Sequence, residues 1–184
     1  MADAVPVVLA DDAVERLAGL FDLHHDRLYR LARRMAPNID DALDLVQETF
    51  LKAARSPKSI PVGTENEEAW LVRVLINIRR DQWRRISVRD RHDKALPGGS
   101  DLASGDRGLE AALIAKRTVW QALDLLAPRR RAVMVMYELE GLAIPAIAAL
   151  LGISAITVRW HLSVGRRDLA RELQAYMGDA HEND

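Results

Sequence analysis

At 184 residues the chain has room for one or two compact domains, and a composition of 49% hydrophobic and 29% charged residues excludes disorder throughout. With 26 basic residues against 27 acidic ones the net charge is −1, so a nucleic-acid partner would require the charge to be segregated within the chain. Cysteine is absent, which excludes a disulfide scaffold and thiolate chemistry and fits a reducing compartment. The stretch from Met1 to Asp12 has no Lys or Arg, unlike a secretory signal, and no apolar run approaches the ~20 residues that span a bilayer; a soluble, cytoplasmic protein with no membrane insertion is expected.

From Val14, apolar residues recur at Leu17, Phe21, Leu28, Leu31 and Met35, with His24 on the same stripe, the 3.6-residue period of an amphipathic helix. Pro37-Asn38 ends it. Asn38 is a good N-cap for a second helix through Leu45, Val46, Phe50 and Ala53, with Asp40 and Asp41 in its first turn and Ser56-Pro57 at its end. After a loop from Lys58 to Gly63, Thr64-Glu65-Asn66-Glu67 reads as a capping box for a long helix through Trp70, Leu71, Val74, Leu75 and Ile78. Nothing shows the alternation of a strand.

Between Ser87 and Gly108 the periodicity stops, and Pro97-Gly98-Gly99-Ser100 and Ser104-Gly105 are strong breakers, so residues 87–108 read as a flexible linker between two domains. Periodicity resumes at Leu109, Leu113, Val119, Trp120 and Leu123. Pro128 can open a helix that continues through Val133, Met136 and Tyr137 to Gly141. A short helix from Pro145 to Leu151, then Gly152, then Ser154 as the N-cap of a helix through Val158, Leu162 and Leu169 is the spacing of a helix-turn-helix, whose second helix can enter the major groove. A plain helical hairpin in a bundle has the same spacing. The expected fold is all-α, with small helical domains at 13–86 and 109–177, and the acidic end at Asp179, Glu182 and Asp184 is expected to be unstructured.

The near-neutral whole conceals polarity. Asp40, Asp41, Asp44 and Glu48 make the second helix acidic, whereas Arg73, Arg79, Arg80, Arg84 and Arg85 make the third basic. Arg73, Arg80 and Arg84 recur at intervals of seven and four, with Trp70, Asn77 and Trp83 on or beside their face, a combination that suits a phosphate backbone and unstacked bases. The alternative is a solvated basic helix whose tryptophans belong to the core, and Trp70, beside Leu71 and Val74, favours that alternative more than Trp83 does. On the last helix, if Val158, Leu162 and Leu169 face the core, then Thr157, Trp160, His161 and Val164 face outward, flanked by Arg159, Arg166 and Arg167. Catalysis finds little support: His24, His25 and Asp26 form no metal spacing, and no phosphate loop or nucleophile motif accompanies them, so neither a cofactor nor a metal is expected.

The stretch from Asp41 to Phe50, then Trp70 to Val74, then Asn77, Asp81, Arg84 and Arg85 resembles region 2 of the bacterial sigma-70 family of RNA polymerase sigma factors, and in particular the extracytoplasmic-function (ECF) group, which keeps only regions 2 and 4. Leu126 to Arg129, Gly141-Leu142, Ile147-Ala148, Leu151 to Ser154 and Thr157 to Leu169 resemble region 4. The resemblance covers about Val14 to Arg85 and Leu109 to Leu173 in the family's order. It implies a transcription initiation factor, not an enzyme, that binds core RNA polymerase and directs promoter-specific initiation. Asp41, Asp44, Leu45, Gln47 and Glu48 fall where the family docks the coiled coil of the largest polymerase subunit. Asn77, Arg80, Trp83 and Arg84 fall where it engages separating promoter strands, and the loop from Lys58 to Asn66 where it captures a flipped base. Thr157, Arg159, Trp160, His161, Arg166 and Arg167 belong to the helix that reads the more distant promoter element. An anti-sigma factor is the further partner such a protein can have.

Leu43 stands where the family usually has Glu, Ala146 replaces another usual Glu, and Trp160-His161 replace a small residue and Arg. Two other readings compete: a sigma-shaped adaptor that sequesters an anti-sigma factor without binding DNA, and a stand-alone helix-turn-helix regulator, which leaves the first domain unexplained.

Overall fold

The computed structural model describes residues 11–89 and 118–182, with side chains placed for 13–86 and 118–174. Among these residues every regular element is helical. The first half comprises α1 (Asp11–Met35), α2 (Ile39–Arg55) and α3 (Thr64–Arg89), with a 3-10 turn at Pro57–Ser59. The second comprises α4 (residues 118–124), α5 (Pro128–Met134), a π turn at Val135–Leu139, α6 (Ile144–Leu151) and α7 (Ala155–Glu182).

Local chemistry sets most of the boundaries. Asn38 caps α2 by accepting from the Asp41 amide at 2.8 Å, satisfying one of the four orphan N–H groups of a helix start. The capping box expected at Thr64 does not form in that register. Thr64 is already the first helical residue, Gly63 precedes it at φ +100°, and the Glu67 carboxylate turns toward Arg16 and His24 of α1. Helix α3 runs three residues past the expected end of the first domain, and α7 is helical through Glu182, beyond the point where the acidic end was expected to lose structure. The rest of the linker, with Leu109 and Leu113, lies outside the described residues. In place of a helix continuing to Gly141, α5 widens into the π turn, which closes with Glu140 N–H donating to the Val135 carbonyl and Gly141 at φ +66°.

Leu28, Leu31, Met35, Leu45, Leu71 and Leu75 are fully buried where α1, α2 and α3 meet, and Val133, Met136, Ile147 and Val158 do the same between α5, α6 and α7. Helices α5 and α7 cross closely at Gly165, where a Cβ would lie 2.9 Å from the Met134 side chain. The two halves are packed together, with α3 against α5 and α6, and their buried residues form one continuous cluster. Two guanidinium groups seal the C-terminus of α1: Arg79 of α3 donates to the Met35 carbonyl at 2.9 Å, and Arg131 of α5, only 3% exposed, donates to the Arg34 carbonyl at 2.7 Å. Burial lowers the pKa of both; at Arg79 the neighbouring Arg131 charge adds to the effect, and at Arg131 the Asp124 carboxylate opposes it.

Candidate functional site

Helix α2 presents its acids outward. Asp44, Gln47 and Glu48 are exposed along one side, while Asp41, also exposed, is engaged by the Asn38 cap. Leu45 does not join this surface: at 0% exposure it is a core residue, because it lies on the opposite stripe of the helix with Ala42, Val46 and Thr49. Beside the acids runs an apolar groove of about 360 Å³ between α1 and α2, lined by Leu17, Phe21, Leu43, Phe50 and Leu51. The Phe21 and Phe50 rings lie 4.9 Å apart within it. This face combines negative charge with exposed hydrocarbon, the pattern of a protein-docking surface.

The arginines of α3 divide by role. Arg79 is the cap of α1, and Arg73 donates to the Leu150 carbonyl of α6 at 3.4 Å, so neither is available as part of an outward face. Arg84 and Arg85 are exposed, with Asn77, Arg80 and Trp83 half-buried beside them. Arg80 Nε lies 3.6 Å from Asp81 and has no hydrogen-bond partner. Trp70 packs against the core, in keeping with its apolar neighbours. In the loop before α3 the carbonyls of Ile60 and Pro61 accept from Arg16 of α1, and that of Val62 from Asn66 of α3, so the backbone is held while the Val62 side chain stands in solvent.

The second half carries a built helix-turn-helix. Helix α6 ends on Gly152 at φ +63°, Ser154 Oγ accepts from the Thr157 amide at 3.0 Å, and α6 and α7 meet at 105°. Arg159 and Arg167 are exposed on α7. Arg166 pairs with Glu138 at 2.7 Å and lies over the Tyr137 ring; the Glu138 hydrogen bond and charge raise its pKa. Thr157 is half-buried, its hydroxyl bonded to Ser154, and His161 is half-buried beside Arg129 and Arg130, so these two face outward less than their spacing suggests. Val164 is half-buried as well, whereas Trp160 is exposed with the Arg130 guanidinium 5.8 Å from its ring.

No group of three or more potential metal-ligating side chains exists among the described residues. His24 is a buried core residue with Glu67 3.8 Å away. No single helix there is long and apolar enough to cross a membrane.

Residues 20–88 match sigma-70 region 2, and residues 116–169 match sigma-70 region 4. The chain is 32% identical over 155 residues to the ECF RNA polymerase sigma factor SigM of Mycobacterium tuberculosis, a match that covers 84% of this chain and 75% of that protein. The chain belongs to the sigma-70 family. This sigma factor is also 39% identical over 150 residues to the ECF RNA polymerase sigma factor SigE of Mycolicibacterium smegmatis, covering 79% of its own length and 57% of that relative's. Its fold is shared with the sigma factor RpoE of Bartonella quintana, solved in complex with the anti-sigma factor NepR, at a TM-score of 0.58 and 22% identity over 90% of this chain and 98% of that one. The region 2 and region 4 matches and the likeness to SigM make it an ECF-type sigma factor.

What sequence reasoning missed in this sigma factor is the set of contacts between its halves. Arg27 and Arg34 of α1 converge on Glu140 at 2.6 and 2.9 Å, and Glu68 of α3 holds Arg27 from the other side at 3.1 Å. Arg27 is desolvated, which works against its charge, but the hydrogen bonds and Coulomb attraction of Glu140 and Glu68 outweigh that and raise its pKa. These pairs span more than 100 positions for Glu140, and no local spacing announces them. Ile156 was also missed, although it lies one helical turn before Trp160 and is 75% exposed.

Proposed function

We propose that this sigma factor works as an adaptor with three surfaces, residues 13–86 forming the polymerase-binding and strand-opening domain and 109–177 the duplex-reading domain, with 87–108 as the tether. The acidic, apolar-rimmed face of α2, with Asp41, Asp44, Gln47 and Glu48, docks core polymerase; Leu45 supports it from the core. Leu43 replaces an acidic contact with an apolar one at the rim of the groove. Asn77, Arg80, Trp83 and Arg84 engage the opened strands, and α7 reads the distant element as duplex, with Arg159, Arg166 and Arg167 on phosphates. The protein performs no chemistry of its own, needs no cofactor and acts in the cytoplasm; an anti-sigma factor is the partner that would hold it in reserve.

The observation that carries this reading is the separation of charge: exposed carboxylates on α2 against exposed arginines on α3 and α7, in a chain of net charge −1. Run-off transcription with bacterial core polymerase on a genomic fragment library tests it, with Asp44→Arg and Glu48→Arg together as the docking control. Specific transcripts that vanish on charge reversal, in a variant that still folds, are expected. Tight duplex binding without polymerase and no transcript would instead identify a stand-alone regulator. Neither activity, with tight binding to an anti-sigma protein, would identify a sequestering adaptor.

A further inference from the structure

The turn before α7 and its first two turns leave few side chains able to reach a base edge. Val158 and Leu162 are buried, Thr157 is tied to Ser154, and His161 is half-buried beside Arg129 and Arg130. Apart from Ser154, whose hydroxyl is engaged as the cap, the side chains that stand outward are Ile156, Arg159, Trp160 and Ser163. Ile156 and Trp160, 75% and 54% exposed, are four residues apart and therefore neighbours on one face. Single exposed apolar residues are ordinary on protein surfaces, but these two form a pair, and their surroundings are electropositive. From Ala155 to Arg167 the helix has three arginines and no carboxylate, and Arg130 approaches the Trp160 ring. Two of the nearby cations are ion-paired, Arg130 with Asp168 and Arg166 with Glu138, so the exposed positive charge beside the pair rests on Arg159, with Arg167 farther along the helix. An apolar pair framed by cations is complementary to a polyanion that displays a hydrocarbon group, and in the major groove that group is the thymine C5-methyl.

We propose that Ile156, with Trp160 beside it, packs on a thymine methyl of the upstream promoter element, so that part of this helix's specificity is apolar. The inference rests on the reading that α7 enters the major groove. Arg159 flanks the pair and suits the adjacent phosphate, while His161 plays a secondary part because it is half-buried, its ring edge-on to that of Trp160 at 4.9 Å.

The test uses the full-length chain with core polymerase. A duplex library randomised across the upstream element is selected by the holoenzyme, and each thymine of the selected sequence is then replaced by deoxyuridine, which keeps the base pair and removes only the methyl. Loss of one buried methyl corresponds to about a fourfold fall in affinity. That fall is expected at one or two thymines with the natural protein, is absent with Ile156→Ala, and is partly retained with Ile156→Val. Ile156 is exposed, so neither variant disturbs the core. Selection of a sequence with no sensitivity to any thymine methyl, or equal sensitivity in Ile156→Ala and the natural protein, overturns the inference and leaves the sigma reading standing. Impaired polymerase or protein-partner binding by Ile156→Ala, with methyl sensitivity intact, assigns the pair to a protein interface and also overturns it. If the holoenzyme selects no sequence at all, the proposed promoter-reading function itself falls and the inference with it.

Discussion

His161 shows how a single side chain's surroundings set its behaviour. Desolvation, then the positive charges of Arg130 and Arg129, lower its pKa below the ordinary histidine value, and its Nδ1 is buried without a hydrogen-bond partner. The folded state therefore resists protonation more than the unfolded chain does. Above about pH 6.5 both states carry a neutral ring and nothing is lost; as pH falls below that value the unfolded chain takes up the proton first and stability declines. The expected result is that the natural protein loses more thermal stability between pH 7.5 and 5.5 than His161→Gln does, with the other histidines unchanged in both. Equal pH profiles would mean that the ring is fully solvated. Leu45 makes the complementary point: it sits among acidic neighbours in sequence, yet its full burial makes it a core residue.

At the scale of elements, the turn between α6 and α7 depends on two residues with different physical duties. Gly152 supplies a left-handed backbone at φ +63° that an L side chain adopts at a cost of about 1–2 kcal/mol. A Cβ there would meet Arg73 Cδ at 3.5 Å, an ordinary contact, so the cost of Gly152→Ala is one of backbone conformation and not of crowding. Gly152→Asn, whose side chain tolerates this region better, should cost less. Ser154→Ala should remove about 1 kcal/mol by leaving the Thr157 amide without its cap. Urea denaturation of the three variants checks this order. A larger loss for Asn than for Ala would show that space beside Arg73, and not φ, is the constraint.

At the scale of the whole molecule, the halves are joined by an ion cluster and by the buried surface beneath it. Glu140 keeps 8% of its side-chain surface and is bound by both Arg27 and Arg34. Its removal leaves two arginines short of a partner, but they retain 23% and 32% of their own surface, so water partly replaces it. Glu140→Ala is expected to cost about 1–3 kcal/mol, below the value for a fully buried pair. It should also raise the radius of gyration measured by small-angle scattering, with 1 M salt, where screening acts over about 3 Å, producing part of the same expansion in the natural protein. An unchanged radius in both cases would show that the apolar contacts of α3 with α5 and α6 hold the halves together unaided.

Periodicity, breakers and caps are local properties, and so the helices through Leu28, Leu45, Leu71 and Val158, the Asn38 and Ser154 caps and the Gly152 turn were all legible in the sequence, as was the family resemblance. Alternation of charge between α2 and α3 was legible for the same reason. Register errors arose where two local solutions compete: Thr64 could cap or begin a helix, and Gly63 at positive φ decided for the second. Tertiary structure alone decided which arginines face solvent. Arg73, Arg79, Arg80 and Arg84 share one short basic segment, yet two of them bind the carbonyls of other helices, because the C-terminal carbonyls of α1 and of α6 need donors. It decided likewise that Glu140 meets Arg27 and Arg34, and that Ile156 joins Trp160 on the outward face while His161, placed outward by its spacing, is half-buried. A sequence pattern records which face of a helix is apolar. What lies opposite that face depends on how distant helices pack, and that depends on the whole chain.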